Sequence, residues 1–177
     1  MKKKLIILIA IIPGVYLFLV CKVTNNTNTI SYKVKKESKK IKLDELTTDF
    51  EVLNVKEVKS ICTNSSQINP KGKFIVIEIL LKNISKENIN YSPISLQLIN
   101  NGYEYHLDEN SFEALKKLTS QEILNNKKCN YIRPYTVLAP GETKKSFVIF
   151  DVPKDLKLKD SKLIVNKNEE IQLDIAK

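Results

Sequence analysis

The segment Lys73–Asn83, KFIVIEILLKN, restricts the fold of this chain more than any other. Asn69, Pro70 and Gly72 precede an apolar run from Phe74 to Leu81. Helix and strand both accommodate a run of that length, but most of it is Ile, Val or Phe. Such side chains lose rotamer freedom against a helical turn and pack well on a pleated surface. The run therefore predicts a strand. Alternate strand residues share a face, so Ile75, Ile77, Ile79 and Leu81 point one way and Phe74, Val76, Glu78 and Leu80 the other. The first set is expected to build a core between two sheets, the second a partly covered outer face. Glu78 reads as a surface residue, because a catalytic carboxylate needs a second titratable group within reach and the sequence names none.

The rest of the chain repeats this pattern. Asp49–Ser60, DFEVLNVKEVKS, alternates with a phase shift, which predicts a half-buried strand containing a bulge. Ile94–Leu107, ISLQLINNGYEYHL, alternates on both sides of Asn101-Gly102, a pair suited to the two positive φ angles of a type I′ hairpin turn. From Asp108 the strand pattern stops. Ser111 reads as the cap of a short helix carrying Phe112, Leu115 and Leu118, with a further turn near Glu122 to Leu124. Pro140-Gly141 then predicts a tight turn, and Phe147–Val152 a second apolar strand ended by Pro153. Ser161–Val165 and Glu170–Ala176 supply one or two closing strands. Seven to nine short strands without long crossover helices predict an all-β antiparallel sandwich with a short helical insert.

A different composition precedes the strands. MKKKLIILIAIIPGVYLFLVC combines a basic start with an apolar run from Leu5 to Val20, which predicts an N-terminal signal or anchor helix over residues 1–21. Three outcomes are open: an uncleaved anchor, a lipoprotein lipidated on Cys21, or a cleaved signal. All three place the domain outside the cytoplasmic membrane. Val20 stands where a lipoprotein carries a small residue. Residues 22–47 read as a polar linker, too poor in apolar residues to fold alone. Up to Lys42 there are ten lysines against Glu37, whereas Leu43–Lys177 holds nineteen basic and nineteen acidic residues. Lys33, Lys35, Lys36, Lys39, Lys40 and Lys42 are the candidate contacts to anionic lipid or wall polymer, the alternative being a solvated spacer. Because the charges over Leu43–Lys177 cancel, a domain over residues 48–177 lacks the basic face that nucleic acid requires, which excludes that partner class.

The order of GKFIVIEILLKNIS, SLQLINNGYEYH, LAPGETKKSFVIFDVP and KLIV resembles a family of extracytoplasmic proteins known as domain of unknown function 4352. The resemblance spans about Thr48 to Val165. It implies an immunoglobulin-like β-sandwich and a signal-bearing lipoprotein or anchored protein, which suits Cys21, and it carries no catalytic residues. The stretch from Asp108 to Tyr131 is longer than the family pattern.

His106 is the single histidine and has no Cys or His at ligand spacing, so no metal is expected. No nucleophile triad or phosphate-cradling glycine loop is present, and no cofactor is expected. Asp108–Asn110 reads as helix capping rather than a calcium loop. Tyr91, Tyr103, Tyr105, Tyr131 and Tyr135 either form a stacking surface or bury their rings at strand edges. Cys62 and Cys129 are candidate disulfide partners in an oxidising compartment. The expected function is a non-enzymatic binding or scaffolding module with an unknown protein or cell-envelope ligand, acting through an edge strand or the loops at one end of the sandwich. An accessory subunit of an envelope membrane complex is the next reading, a hydrolytic enzyme the third.

Overall fold

The computed structural model describes residues 30–34, 38–43, 46–62, 66–125, 130–166, 169–173 and 175–176. Leu5–Val20, Cys21, Lys35, Lys36 and Cys129 lie outside them. Among the described residues no helix is long and apolar enough to cross a membrane.

The centre of the molecule is β6 (Lys73–Asn83), flanked by β3 (Leu46–Val58) and β11 (Thr143–Val152), both antiparallel to it. The register shifts between Val52 and Asn54, which is the phase shift visible in the sequence of that strand. The far edge of β3 pairs with β1 (Ile30–Val34) near Val55–Glu57 and with β2 (Ser38–Leu43) along Leu46–Glu51. A short β14 (Ile175–Ala176) pairs with β1 and completes a six-stranded sheet. The second sheet has four strands: β8 (Gln97–Asn100), β9 (Tyr103–His106), β12 (Lys162–Asn166) and β13 (Glu169–Gln172), in the order β13-β12-β8-β9. Two small ribbons add β4 (Ile61–Cys62) with β5 (Gln67–Ile68), and β7 (Ile89–Tyr91) with β10 (Thr136–Leu138).

The faces of β6 divide as alternation dictates. Ile75, Ile77, Ile79 and Leu81 pack with Phe50, Val52, Val148 and Phe150 of their own sheet and with Leu96, Leu98, Leu163 and Val165 from the facing side. This is the inter-sheet core of a β-sandwich. Phe74 and Val76 point the other way, into a second cluster with Phe147 and Ile149. That cluster is covered by α1 (Glu109–Asn125), which buries Ala114 and Leu115 against it.

Two expectations are corrected. The helix is one continuous 17-residue element, and its cap is Asp108, whose Oδ1 accepts the Ser111 N–H at 2.8 Å. Ser111 lies inside, buried, where its Oγ accepts the Asp151 N–H at 3.0 Å and ties the helix to the end of β11. Polar residues in the middle of the segment hid a helix held by one apolar stripe. The stretch read as a linker, residues 22–47, contributes β1 and β2 to the six-stranded sheet. Their pairing is with the backbone of a strand 13 residues long, a stabilisation that composition does not display. Lys33 belongs to β1 and Lys39, Lys40 and Lys42 to β2, so these lysines sit on strands of the domain rather than on a free tether. Lysine-rich edges discourage pairing with a second chain.

Candidate functional site

Cross-strand register puts Glu78 between Asn54 of β3 and Phe147 of β11 on the outer face. Asn130–Ile132 run beside β11, with Lys145 N–H donating to Asn130 O and Ile132 N–H to Lys145 O, and this brings Tyr131 next to Lys145. The Tyr131 hydroxyl donates to Glu78 Oε1 at 2.6 Å and Lys145 Nζ to the same oxygen at 3.0 Å. The Tyr131 ring stacks on Phe147, centroids 5.1 Å apart. Glu78 is therefore half-buried and engaged, not a free surface acid. Burial pushes its carboxyl up, but the hydrogen bonds from Tyr131 and Lys145, with the charges of Lys145 and Lys56, outweigh it, and the net shift is downward. Tyr131 is pushed up by burial and by donating to that carboxylate.

A groove of about 230 Å³ runs beside this network, between the second half of α1 and the sheet, lined by Val58, Val76, Phe147, Leu118, Glu78 and Cys62. Cys62 is a free, half-buried thiol 3.9 Å from Ser60 Oγ. The downward shift favours the carboxylate form of Glu78, whose donors are in place, an arrangement suited to fixing Tyr131 and Lys145 rather than to moving a proton.

The second place is at the end of the sandwich where β3 and β11 finish and β6 begins. A cleft of about 520 Å³ is lined by Lys59, Lys71, Lys73, Lys154, Glu57 and Ile30. Lys59, Lys71 and Lys154 each arrive by a turn. Pro70-Lys71-Gly72 is a tight approach in which a Cβ on Gly72 would stand 2.1 Å from Val152 O, so only glycine fits. Asp151 holds that turn, accepting the Lys71 N–H at 2.7 Å and the Gly72 N–H at 3.2 Å. Lys154 follows Pro153, which ends β11. At the base Lys73 Nζ lies 2.6 Å from Glu57 Oε2 and 2.6 Å from Leu156 O, and the Tyr32 hydroxyl donates to Glu57 Oε1 at 2.8 Å. Both partners of the Lys73–Glu57 pair are 13% exposed. Burial, then Glu57, pushes Tyr32 up to about 12. The carboxylate lining the cleft is thus engaged from below, while Lys59, Lys71 and Lys154 are exposed. Among the described residues Lys71 is the one of these three with an acid near its ammonium, Asp108 at 3.8 Å, and that pair is exposed and weak.

The remaining sequence candidates scatter. His106 is a surface side chain 3.7 Å from Glu104. Tyr91 is in the inter-sheet core, and Tyr135 is exposed beside Phe112. Tyr103 and Tyr105 share a cleft with Asp155. Among the described residues no group of His, Cys, Asp and Glu is arranged to hold a metal ion. The lysine cleft was missed because Lys59, Lys71 and Lys154 belong to three turns far apart in sequence. The one usable signal is that each of these turns adjoins a predicted strand end.

Residues 24–172 match the family described as Domain of unknown function (DUF4352). The chain is similar to the crystal structure of a conserved hypothetical protein from Bacillus anthracis, with 22% identity, a TM-score of 0.59, and coverage of 84% of this chain and 99% of that chain. It is also similar to a functionally unknown protein from Listeria monocytogenes, with 20% identity, a TM-score of 0.48, and coverage of 77% and 74%. An uncharacterized beta-sandwich protein from Clostridium difficile shares 18% identity at a TM-score of 0.41, over 71% and 80%. At 22% identity the Bacillus anthracis likeness bears on fold alone. No curated protein matches the chain.

Proposed function

This chain belongs to the family described as Domain of unknown function (DUF4352), and from that premise we propose that it is a non-catalytic binding module that takes an anionic group of a cell-envelope ligand in its lysine cleft. Its N-terminal segment, with Cys21 as the lipidation candidate, holds the domain on the outer side of the cytoplasmic membrane. The observation that carries the reading is the cleft itself: three exposed ammonium groups surround a hollow whose own carboxylate, Glu57, is engaged by Lys73 and Tyr32. Where the charges of Leu43–Lys177 cancel in sum, such a place concentrates positive potential locally. The loops at one end of a sandwich are also where binding residues gather on a rigid scaffold.

Polyphosphate is the probe, titrated calorimetrically into the full chain in a non-ionic detergent at low and high salt. A Lys59→Glu/Lys154→Glu variant is compared with Lys82→Glu/Lys86→Glu, which makes the same change of net charge at the opposite end of β6, roughly 30 Å away. The cleft pair is expected to weaken binding at least about tenfold, or ~1.4 kcal/mol, and the distal pair to change it little. Equal losses from both pairs would show attraction to net charge and end the proposal.

A further inference from the structure

We infer that the ligand is a polymer combining anionic groups with sugar rings, and that a second cleft, lined by Asn101, Tyr103, Tyr105, Pro153, Asp155 and Lys157, seats one ring beside the lysine cleft. The inference rests on the anion-binding reading above and goes beyond it by naming the ligand's chemistry.

The two clefts are neighbours across one loop. Lys154 lines the first, and Pro153, Asp155 and Lys157 line the second, which holds about 510 Å³. That loop is fixed from both sides. Leu156 O accepts Lys73 Nζ at 2.6 Å on the lysine side, and Lys157 O accepts Asn100 Nδ2 at 2.8 Å on the tyrosine side. Leu156 itself is buried in the inter-sheet core. A ligand crossing the loop meets surfaces already in position, which lowers the ordering cost of binding.

The lining of the second cleft is that of a ring subsite. Tyr103 and Tyr105 are two apart on β9 and share a face. Tyr105 packs onto the core, whereas Tyr103 is 69% exposed, a large aromatic held open on a rigid hairpin. The hairpin is rigid because Asn101 and Gly102, at φ 50° and 81°, form the type I′ turn that its sequence prescribes. Asp155 approaches the same place: burial first, then Tyr103 and Asp155, push the Tyr105 phenol up. An open aromatic face beside a carboxylate acceptor and the Asn101 amide, donor and acceptor at once, matches the apolar face and the hydroxyls of a pyranose. The Asn100 amide takes no part, being engaged by Lys157 O, Lys159 O and Ser161 Oγ. Asp155 would repel a second anion, so the charged group and the ring are sorted to opposite sides of the loop.

Three probes are titrated into the full chain in detergent: a short hyaluronan oligosaccharide, in which anionic glucuronate rings alternate with uncharged N-acetylglucosamine rings, polyphosphate of matched charge, and polyglutamate. Hyaluronan is expected to bind most tightly. Tyr103→Ala, exposed and so neutral to folding, should weaken it about tenfold while leaving polyphosphate unchanged, and Tyr103→Phe should retain the parent affinity. Lys59→Glu/Lys154→Glu should weaken all three. If Tyr103→Ala leaves hyaluronan binding intact while the lysine variant lowers it, or if polyglutamate binds as tightly as hyaluronan, the ring subsite is wrong and the anion cleft stands. If the lysine variant leaves every probe unaffected, both readings fall.

Discussion

Glu78 holds Tyr131 and Lys145 against the outer sheet face, and the cost of removing it follows from what those donors lose. A hydrogen bond to a charged group contributes roughly 1.5–3 kcal/mol, so Glu78→Ala should destabilise the domain by about 2 kcal/mol. Glu78→Gln keeps an acceptor for Tyr131 and should cost about half as much. Because the folded carboxyl is shifted below its ordinary value of 4.5, its contribution is present above the unfolded value and is lost as pH falls through the folded one. Urea denaturation of parent and Glu78→Ala should therefore show a deficit at neutral pH that shrinks in acid; a deficit constant with pH would mean that packing, not charge, is lost. The position of Glu78 on the outer face was legible from alternation alone. Its partners were not, because Tyr131 lies 53 residues away and reaches Glu78 only through a bridge to β11.

At the scale of elements, what could be read was whatever periodicity and turn chemistry determine locally. Strand β6, the bulge in β3, the Asn101-Gly102 hairpin and the apolar half of β11 all follow from side-chain spacing. Strands β1 and β2 do not, since their share of stability lies in main-chain pairing with β3, and the sequence SKKIKL shows lysines rather than a buried face. Two predictions separate these sources of order. Ile77→Asp places an unpaired charge in the inter-sheet core and should abolish folding, an effect above ~4 kcal/mol; a folded variant by near-ultraviolet circular dichroism would overturn the assignment of faces. A chain beginning at Thr47 should lose about 3 kcal/mol relative to one beginning at Asn25, from the net worth of several ladder hydrogen bonds. Matching urea midpoints for the two chains would mean that β1 and β2 add nothing to the sheet.

For the whole molecule the governing fact is where charge lies. The sequence excess sits before Leu43, partly on β1 and β2, and Leu43–Lys177 is neutral in sum, yet folding gathers Lys59, Lys71 and Lys154 around one hollow. Net charge was readable from the sequence; its local concentration was not, because it depends on three turns meeting at one end of the sandwich. The two sets of lysines should act on different steps of binding. Charges outside the contact steer encounter and set the association rate, whereas charges within it set the dissociation rate. Steering is screened beyond a Debye length of about 8 Å at physiological salt, so it should fade first as salt rises. With immobilised full-length chain and polyphosphate in flow, Lys35→Ala/Lys36→Ala should slow association several-fold at low salt, leave dissociation unchanged, and lose its effect at high salt. Lys59→Ala/Lys154→Ala should instead speed dissociation about tenfold, the factor that ~1.4 kcal/mol of lost contact supplies, at both salt concentrations. Should the N-terminal pair control dissociation while the cleft pair leaves it unchanged, the polyanion would be seated on the lysines before Leu43, and the cleft at the end of the sandwich would have no part in holding it.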